Sequence, residues 1–173
     1  FAQHREYVQG DEIRRVDWKV FAKTDRYYVR EYEEETNLRA MLLLDASGSM
    51  AYAGERGVTK LQHALKLAAC LAHIIMKQSD SIGLMTFDTK IRTHVPARSS
   101  TRHLRVLYEN LINTKPGGET DLSGVFHDIV PRIHKRGMVF ILSDCFSEVK
   151  ELLAALALFR NASHEVVVFH VMD

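Results

Sequence analysis

Cysteine is scarce in this chain. Cys70 and Cys145 are the only two among 173 residues, with neither CxxC nor Cys/His spacing. That excludes a disulfide scaffold or a zinc finger and favours a reducing compartment. Net charge is equally thin: 23 Lys and Arg against 22 Asp and Glu leave +1. No global field recruits nucleic acid or an anionic membrane, so such a partner would need a local patch. No apolar run reaches the roughly 18 to 20 residues that a spanning helix needs. The longest, "LKLAACLAHIIM", is broken by Lys66 and His73 and reads as a buried helix. The nine histidines lack HxxxH or HxH spacing, which argues against zinc. Signal-peptide pattern, internal repeat and low-complexity tract are all missing. The chain begins mid-pattern at Phe1 and stops at Asp173 just after a strand-like run, so a piece of a longer protein is expected, its flanks open.

What is present is an ordinary globular mixture, 46% hydrophobic and 26% charged, of a length that suits one domain with a full core. Residues 1–37 differ from the rest. They are dense in charge yet carry Tyr7, Trp18, Phe21, Tyr27 and Tyr28. Gln9-Gly10-Asp11 is a turn signal, and "RYYVREYE" has strand composition. The expectation is a partly ordered N-terminal arm whose aromatics pack on a main domain, residues 38–173.

Within that domain strands and helices alternate. "LRAMLLL" is a continuous apolar run, as for a strand covered on both faces. In "TKLQHALKLAACLAHIIMK", Leu61, Ala64, Leu65, Ala68, Leu71, Ala72 and Ile75 share a helical stripe, and Thr59 with Gln62 makes a capping box. "SIGLMTF" and "KIRTHVP", joined through Asp88-Thr89, form an antiparallel hairpin at a sheet edge. Two helices follow. One is lined by Leu104, Leu107, Tyr108, Leu111 and Ile112; the other by Leu122, Val125, Phe126, Ile129 and Ile133, with Pro131 kinking it or tightening its last turns. Then come strand "MVFILS", a helix capped by Ser147, and strand "EVVVFHV". The fold class is α/β: a doubly wound, mostly parallel sheet with helices on both faces and one antiparallel edge strand. Such sheets bind ligands beyond the carboxyl ends of their strands, where strand order reverses.

Asp45 and Asp144 both sit at strand ends, and adjacent strands would bring them to one crevice. In "DASGS", Ser47 and Ser49 project the same way from an extended turn. The loop "KPGGETDL" adds Thr120 and Asp121 where Gly117 and Gly118 allow a sharp turn. Hydroxyls and carboxylates without nitrogen or sulfur suit a hard dication, Mg2+ first, with Mn2+ or Ca2+ as alternatives. Asp121 as a plain helix cap instead of Thr120 as a ligand, and Asp144 as a cap, remain open from spacing alone. Asp88 and Glu119 lie near loop ends, where they could tune the rim, with no ligand role assigned.

Asp45-x-Ser47-x-Ser49, Thr120 and Asp144 together resemble the metal-ion-dependent adhesion site of von Willebrand factor A domains. With the charged arm in front, the chain is similar to the bacterial family called domain of unknown function fifty-eight. The resemblance implies that Ser47 and Ser49 coordinate directly, Thr120 directly or through water, and Asp45 and Asp144 mostly through water. It implies a protein–protein interaction module in which a partner's Asp or Glu completes the metal. The implied partner is a MoxR-type AAA+ ATPase, in assembly or maturation of complexes. A cytoplasmic setting goes with it, with no nucleic acid and no membrane contact from this segment. A final helix, usual after the last strand in A domains, would lie beyond Asp173.

Enzyme readings are weaker. A dehalogenase-type phosphatase wants a second Asp two residues after the first, where this chain has Ser47. A serine hydrolase wants G-x-S-x-G, and Cys145 has no local base. The basic residues of the arm, Arg14, Arg15, Lys19, Lys23, Arg26 and Arg30, are interleaved with acids, which weakens a nucleic-acid reading.

Overall fold

Alternation along the apolar strands decides the architecture. The computed structural model describes residues 2–11, 13–32, 38–55, 57–119 and 122–172, and the chain divides into two units, residues 1–36 and 37–173. In the first unit, strands β1 (Ala2–Glu6) and β2 (Tyr28–Tyr32) pair antiparallel. Between them lies a short helix α1 (Trp18–Thr24), which Asp17 caps by accepting from the amides of Lys19 and Val20. The aromatics meet one another here: Phe21 stacks on Tyr27 at 4.5 Å between centroids. Neither β1 nor α1 is announced by an apolar period, because both are short and charged.

The second unit holds a five-stranded sheet of β3 (Arg39–Asp45), β4 (Ser81–Phe87), β5 (Ile91–Arg98), β6 (Met138–Ser143) and β7 (Glu165–His170). Its order is β5-β4-β3-β6-β7, all neighbours parallel except the β4–β5 edge pair. Helices α2 (Lys60–Lys77) and α3 (Thr101–Asn113) cover one face; α4 (Leu122–Ile129) and α5 (Val149–Asn161) cover the other. Successive side chains of β3 serve the two faces in turn. Leu42 and Leu44 join Ala64, Ala68, Leu107 and Leu111; Met41 and Leu43 join Phe126, Ile129 and Phe159. A strand buried on both sides has no polar phase, hence the continuous apolar run. The expected α/β class and antiparallel edge are what the chain forms. No helix among the described residues is long and apolar enough to cross a membrane.

The capping box at α2 is complete, with Thr59 Oγ1 accepting from the Gln62 amide at 3.0 Å and Gln62 Oε1 from the Thr59 amide at 3.1 Å. Two local expectations need adjustment, and the structure decides between the two forms of a third. On α3 the inward stripe is His103, Leu107 and Leu111, while Ile112 is 80% exposed. His103 earns its place because Nε2 lies 2.8 Å from the Ile82 carbonyl. Ser147 is not the cap of α5: Glu148 holds that position without a side-chain bond, and Ser147 Oγ is buried with no partner among the described residues. Pro131 converts the end of α4 into a 3-10 turn, Val130–Arg132, rather than bending it.

Phe126 stands between Phe87 and Phe159, edge-on to both at 5.7 and 5.1 Å. Phe126→Ala is expected to cost about 3–5 kcal/mol, read as a lower urea midpoint at unchanged slope. A loss below about 1 kcal/mol would mean that this face of the core is not packed as described.

Candidate metal centre

Strand order reverses between β3 and β6, and their carboxyl ends lie side by side, Leu44 opposite Leu142. Asp45, the last residue of β3, is fully buried. Its Oδ1 accepts the Ser47 amide at 2.9 Å and its Oδ2 the Ser143 hydroxyl at 2.6 Å. One carboxylate therefore shapes the turn after its own strand and pins the end of the next. Ser143 Oγ in turn accepts the Cys145 amide at 2.9 Å. Both Asp45 oxygens are thus engaged, and beyond them Ser47 Oγ and Ser49 Oγ lie within hydrogen-bond distance of each other at 3.1 Å, Ser47 fully buried and Ser49 half-buried.

That separation bears on a metal directly. Metal–oxygen bonds of about 2.1 Å place neighbouring ligands of an octahedron about 3.0 Å apart, so the two hydroxyls fit adjacent corners around Mg2+. Among the described residues no three His, Cys, Asp or Glu side chains group as ligands. A cation here would lean on the serines, with carboxylates behind them.

Asp144, one residue past β6, is also buried. Its Oδ2 accepts Lys60 Nζ at 2.9 Å, and its Oδ1 lies 3.4 Å from the Phe146 amide. Cys145 takes a left-handed φ of 50° to make this turn. The third loop is bonded to the first: the Gly117 amide donates to the Ala46 carbonyl at 2.6 Å, and the Gly48 amide to the Gly118 carbonyl at 2.7 Å. Thr120 and Asp121 lie outside the described residues, two and three positions beyond Gly118. The structure thus brings Asp45, Ser47, Ser49 and Asp144 to one end of the sheet and holds the loop leading to Thr120 against them.

Two residues without an assigned role in the sequence reading prove to organise the site. Asp88, just past β4, is buried and accepts from Arg92 Nε at 2.6 Å, the Lys90 amide at 3.1 Å and the Gly118 amide at 3.2 Å. It ties the β4–β5 hairpin to the third loop. A Cβ on Gly117 would run into the Arg92 guanidinium and this carboxylate, so a larger residue there would have to displace the Asp88–Arg92 pair. The pairing with Arg92, four residues on, is the signal that sequence offered. The second residue is Lys60. A cation in the first turn of a helix is misplaced against the dipole, and its presence at the start of α2 points to a compensating anion elsewhere.

Charge follows from these contacts. Burial pushes the Asp45 carboxyl above its ordinary value; hydrogen bonds from Ser143 and Ser47 oppose this, and nearby Asp144 adds to it. Burial also works to raise Asp88, but the bonds from Arg92, Lys90 and Gly118 outweigh it and hold the carboxyl below its usual range. Burial raises the Cys145 thiol, which disfavours the thiolate a nucleophile needs.

Solved structures share this architecture. BatB, a conserved hypothetical protein from Bacteroides thetaiotaomicron, superposes with a TM-score of 0.61 at 17% identity, over 76% of this chain and 65% of that one. An aerotolerance-related membrane protein from Bacteroides fragilis gives 0.61 at 18% identity, over 76% and 66%. A von Willebrand factor type A structure from Catenulispora acidiphila gives 0.52 at 11% identity, over 82% and 33%. The fold is von Willebrand A-like. Within that class the chain belongs to the family described as protein of unknown function DUF58, which matches residues 3–173. Uncharacterized proteins of Mycobacterium bovis and Mycobacterium tuberculosis are each 29% identical over 177 residues, 99% of this chain and 54% of their own length. The chain spans about half the length of the curated relatives it matches.

Asp88 generates a pH-dependent prediction. A carboxyl held below its ordinary value of 3.8 contributes stability above that value, and the contribution disappears as pH falls through the folded-state pKa. Asp88→Asn is expected to cost about 1–3 kcal/mol at neutral pH. In urea melts from pH 7 downward, its deficit against the wild type should shrink below about pH 4. A deficit that is absent at neutral pH, or constant with pH, would refute the clamp.

Proposed function

We propose that this domain is a metal-dependent protein–protein interaction module that grips an acidic residue of its partner. Ser47 and Ser49 would hold Mg2+ directly, Thr120 would complete the set from the third loop, and Asp45 and Asp144 would act through water. Mn2+ or Ca2+ are alternative occupants. Bound there, the ion supplies electrophilic attraction for a carboxylate, undiminished by directly bound acids. The chain's own residues do the rest. Asp45 fixes the serine turn, Ser143 locks Asp45, and Asp88 holds the Gly117–Gly118 segment in place.

The observation that carries this reading is the pair of serine hydroxyls at octahedral-edge spacing, backed by a carboxylate whose oxygens are both committed. A hydrolase gains no comparable support. The partner class, a MoxR-type AAA+ ATPase acting in assembly or maturation of complexes, rests on resemblance alone. A cytoplasmic setting belongs to the same proposal and draws on two cysteines that are both free thiols.

Calorimetric titration with Mg2+ and Mn2+ tests the metal. The wild type should bind one ion, Ser47→Ala and Thr120→Ala should lose most of that binding, and all three should keep similar thermal stability without metal. Variants that bind as the wild type does would sink the reading; so would no saturable heat from the folded wild type together with none from a variant that lacks the Lys60 charge. For the partner, a MoxR-type ATPase should co-elute with the wild type in Mg2+ but not in chelator, and not with Ser47→Ala.

A further inference from the structure

Among the described residues, Lys60 is the one basic side chain that a hydrogen bond connects to a candidate ligand's side chain; the His170 ring meets only the Asp144 backbone oxygen. Its ammonium bonds Asp144 at 2.9 Å with the two side chains only 18% and 3% exposed. By contrast, the Arg105–Glu109 pair on α3 lies open to water at 83% and 56%. The Tyr52 ring flanks the same ammonium, 5.6 Å from its centroid. The backbone around it is fixed twice, by the Thr59–Gln62 capping box and by the Lys60 amide donating to the Tyr52 carbonyl at 3.0 Å. The side chain is aimed into the site by anchored main chain, at the helix end where a cation is least welcome.

Its charge changes the balance of the site. Two carboxylates and one ammonium leave a single negative charge, so a dication makes the cluster net positive. An incoming carboxylate then restores neutrality. We propose that Lys60 is a tethered counter-ion that competes with the divalent cation for Asp144, keeping metal affinity low until a partner's carboxylate arrives. This rests on the metal reading above. Metal and carboxylate then bind cooperatively, each raising the affinity of the other by the same factor.

The test uses two variants. Lys60→Gln removes the charge but keeps an amide donor for Asp144, which spares a buried carboxylate from losing its one side-chain partner among the described residues. Lys60→Arg keeps the charge. By calorimetry, Lys60→Gln should bind Mg2+ at least about tenfold more tightly than the wild type, a floor that a unit charge a few ångströms from a dication reaches even at the dielectric constant of water. Lys60→Arg should bind like the wild type. The melting temperature should rise more on adding Mg2+ to Lys60→Gln than to the wild type, a readout that holds even where the variant is less stable without metal. Mg2+ binding by Lys60→Gln alone, with none measurable in the wild type, would support the proposal too. Equal or weaker binding by Lys60→Gln overturns it and makes Lys60 a support for Asp144. If neither chain binds Mg2+ or Mn2+, the metal reading itself fails and this inference falls with it.

Discussion

Asp45 is the residue on which the rest of the structure turns. A carboxylate at zero exposure is expensive to bury, and burial pushes its pKa upward. What offsets the cost is bonding in two directions, to the amide of Ser47 and to the hydroxyl of Ser143. The first bond bends the chain after β3 so that two serine hydroxyls come together. The second fastens β6 to β3 at the place where strand order reverses. A hydrophobic residue there would be cheaper for folding. It would shape neither turn and would offer no field to a cation.

Around that carboxylate the other loops are tied rather than merely near. Backbone bonds join Ala46 to Gly117 and Gly48 to Gly118, and Asp88 holds Gly118 from the far side with Arg92 as its counter-charge. Each acid at this end of the sheet thus has a distinct task. Asp45 is structural with a raised pKa; Asp88 is structural with a lowered one. Asp144 meets a lysine that arrives from the start of α2. Preorganised hydroxyls beside a nearly balanced set of charges suit recognition of an anion through a hard cation, and family membership leaves the activity open for such chemistry to fill.

Much of the fold was legible because both faces of the central strands are buried, and continuous apolar runs such as "AMLLL" leave little else to infer. Asp45, Ser47, Ser49 and Asp144 were legible because polar residues interrupt those runs at strand ends. The misses have physical causes. His103 replaces Ile112 on the inner face of α3 because a carbonyl of β4 offers its ring a hydrogen bond, which hydrophobic phase cannot register. Ser147 looked like a cap, but the turn at Cys145 places the helix start one residue later. Asp88 and Lys60 also reach partners 30 and 84 residues away, which the local signals, Arg92 four residues on and a cation at a helix start, do not name. In the N-terminal unit β2 was legible in "RYYVREYE", whereas β1 and α1 are too short and charged to show a period.

Paramagnetic broadening by Mn2+ in an amide NMR spectrum tests the central claim most directly, since it locates an ion without assuming its ligands. At substoichiometric Mn2+, the amides of Ala46 to Ser49, Gly117 and Gly118, and Cys145 and Phe146 should lose intensity together. Those of Arg39 and Met138, at the opposite ends of the same strands, should keep it. Broadening confined to one loop, or centred elsewhere on the chain, would contradict a single cation site assembled where β3 and β6 end.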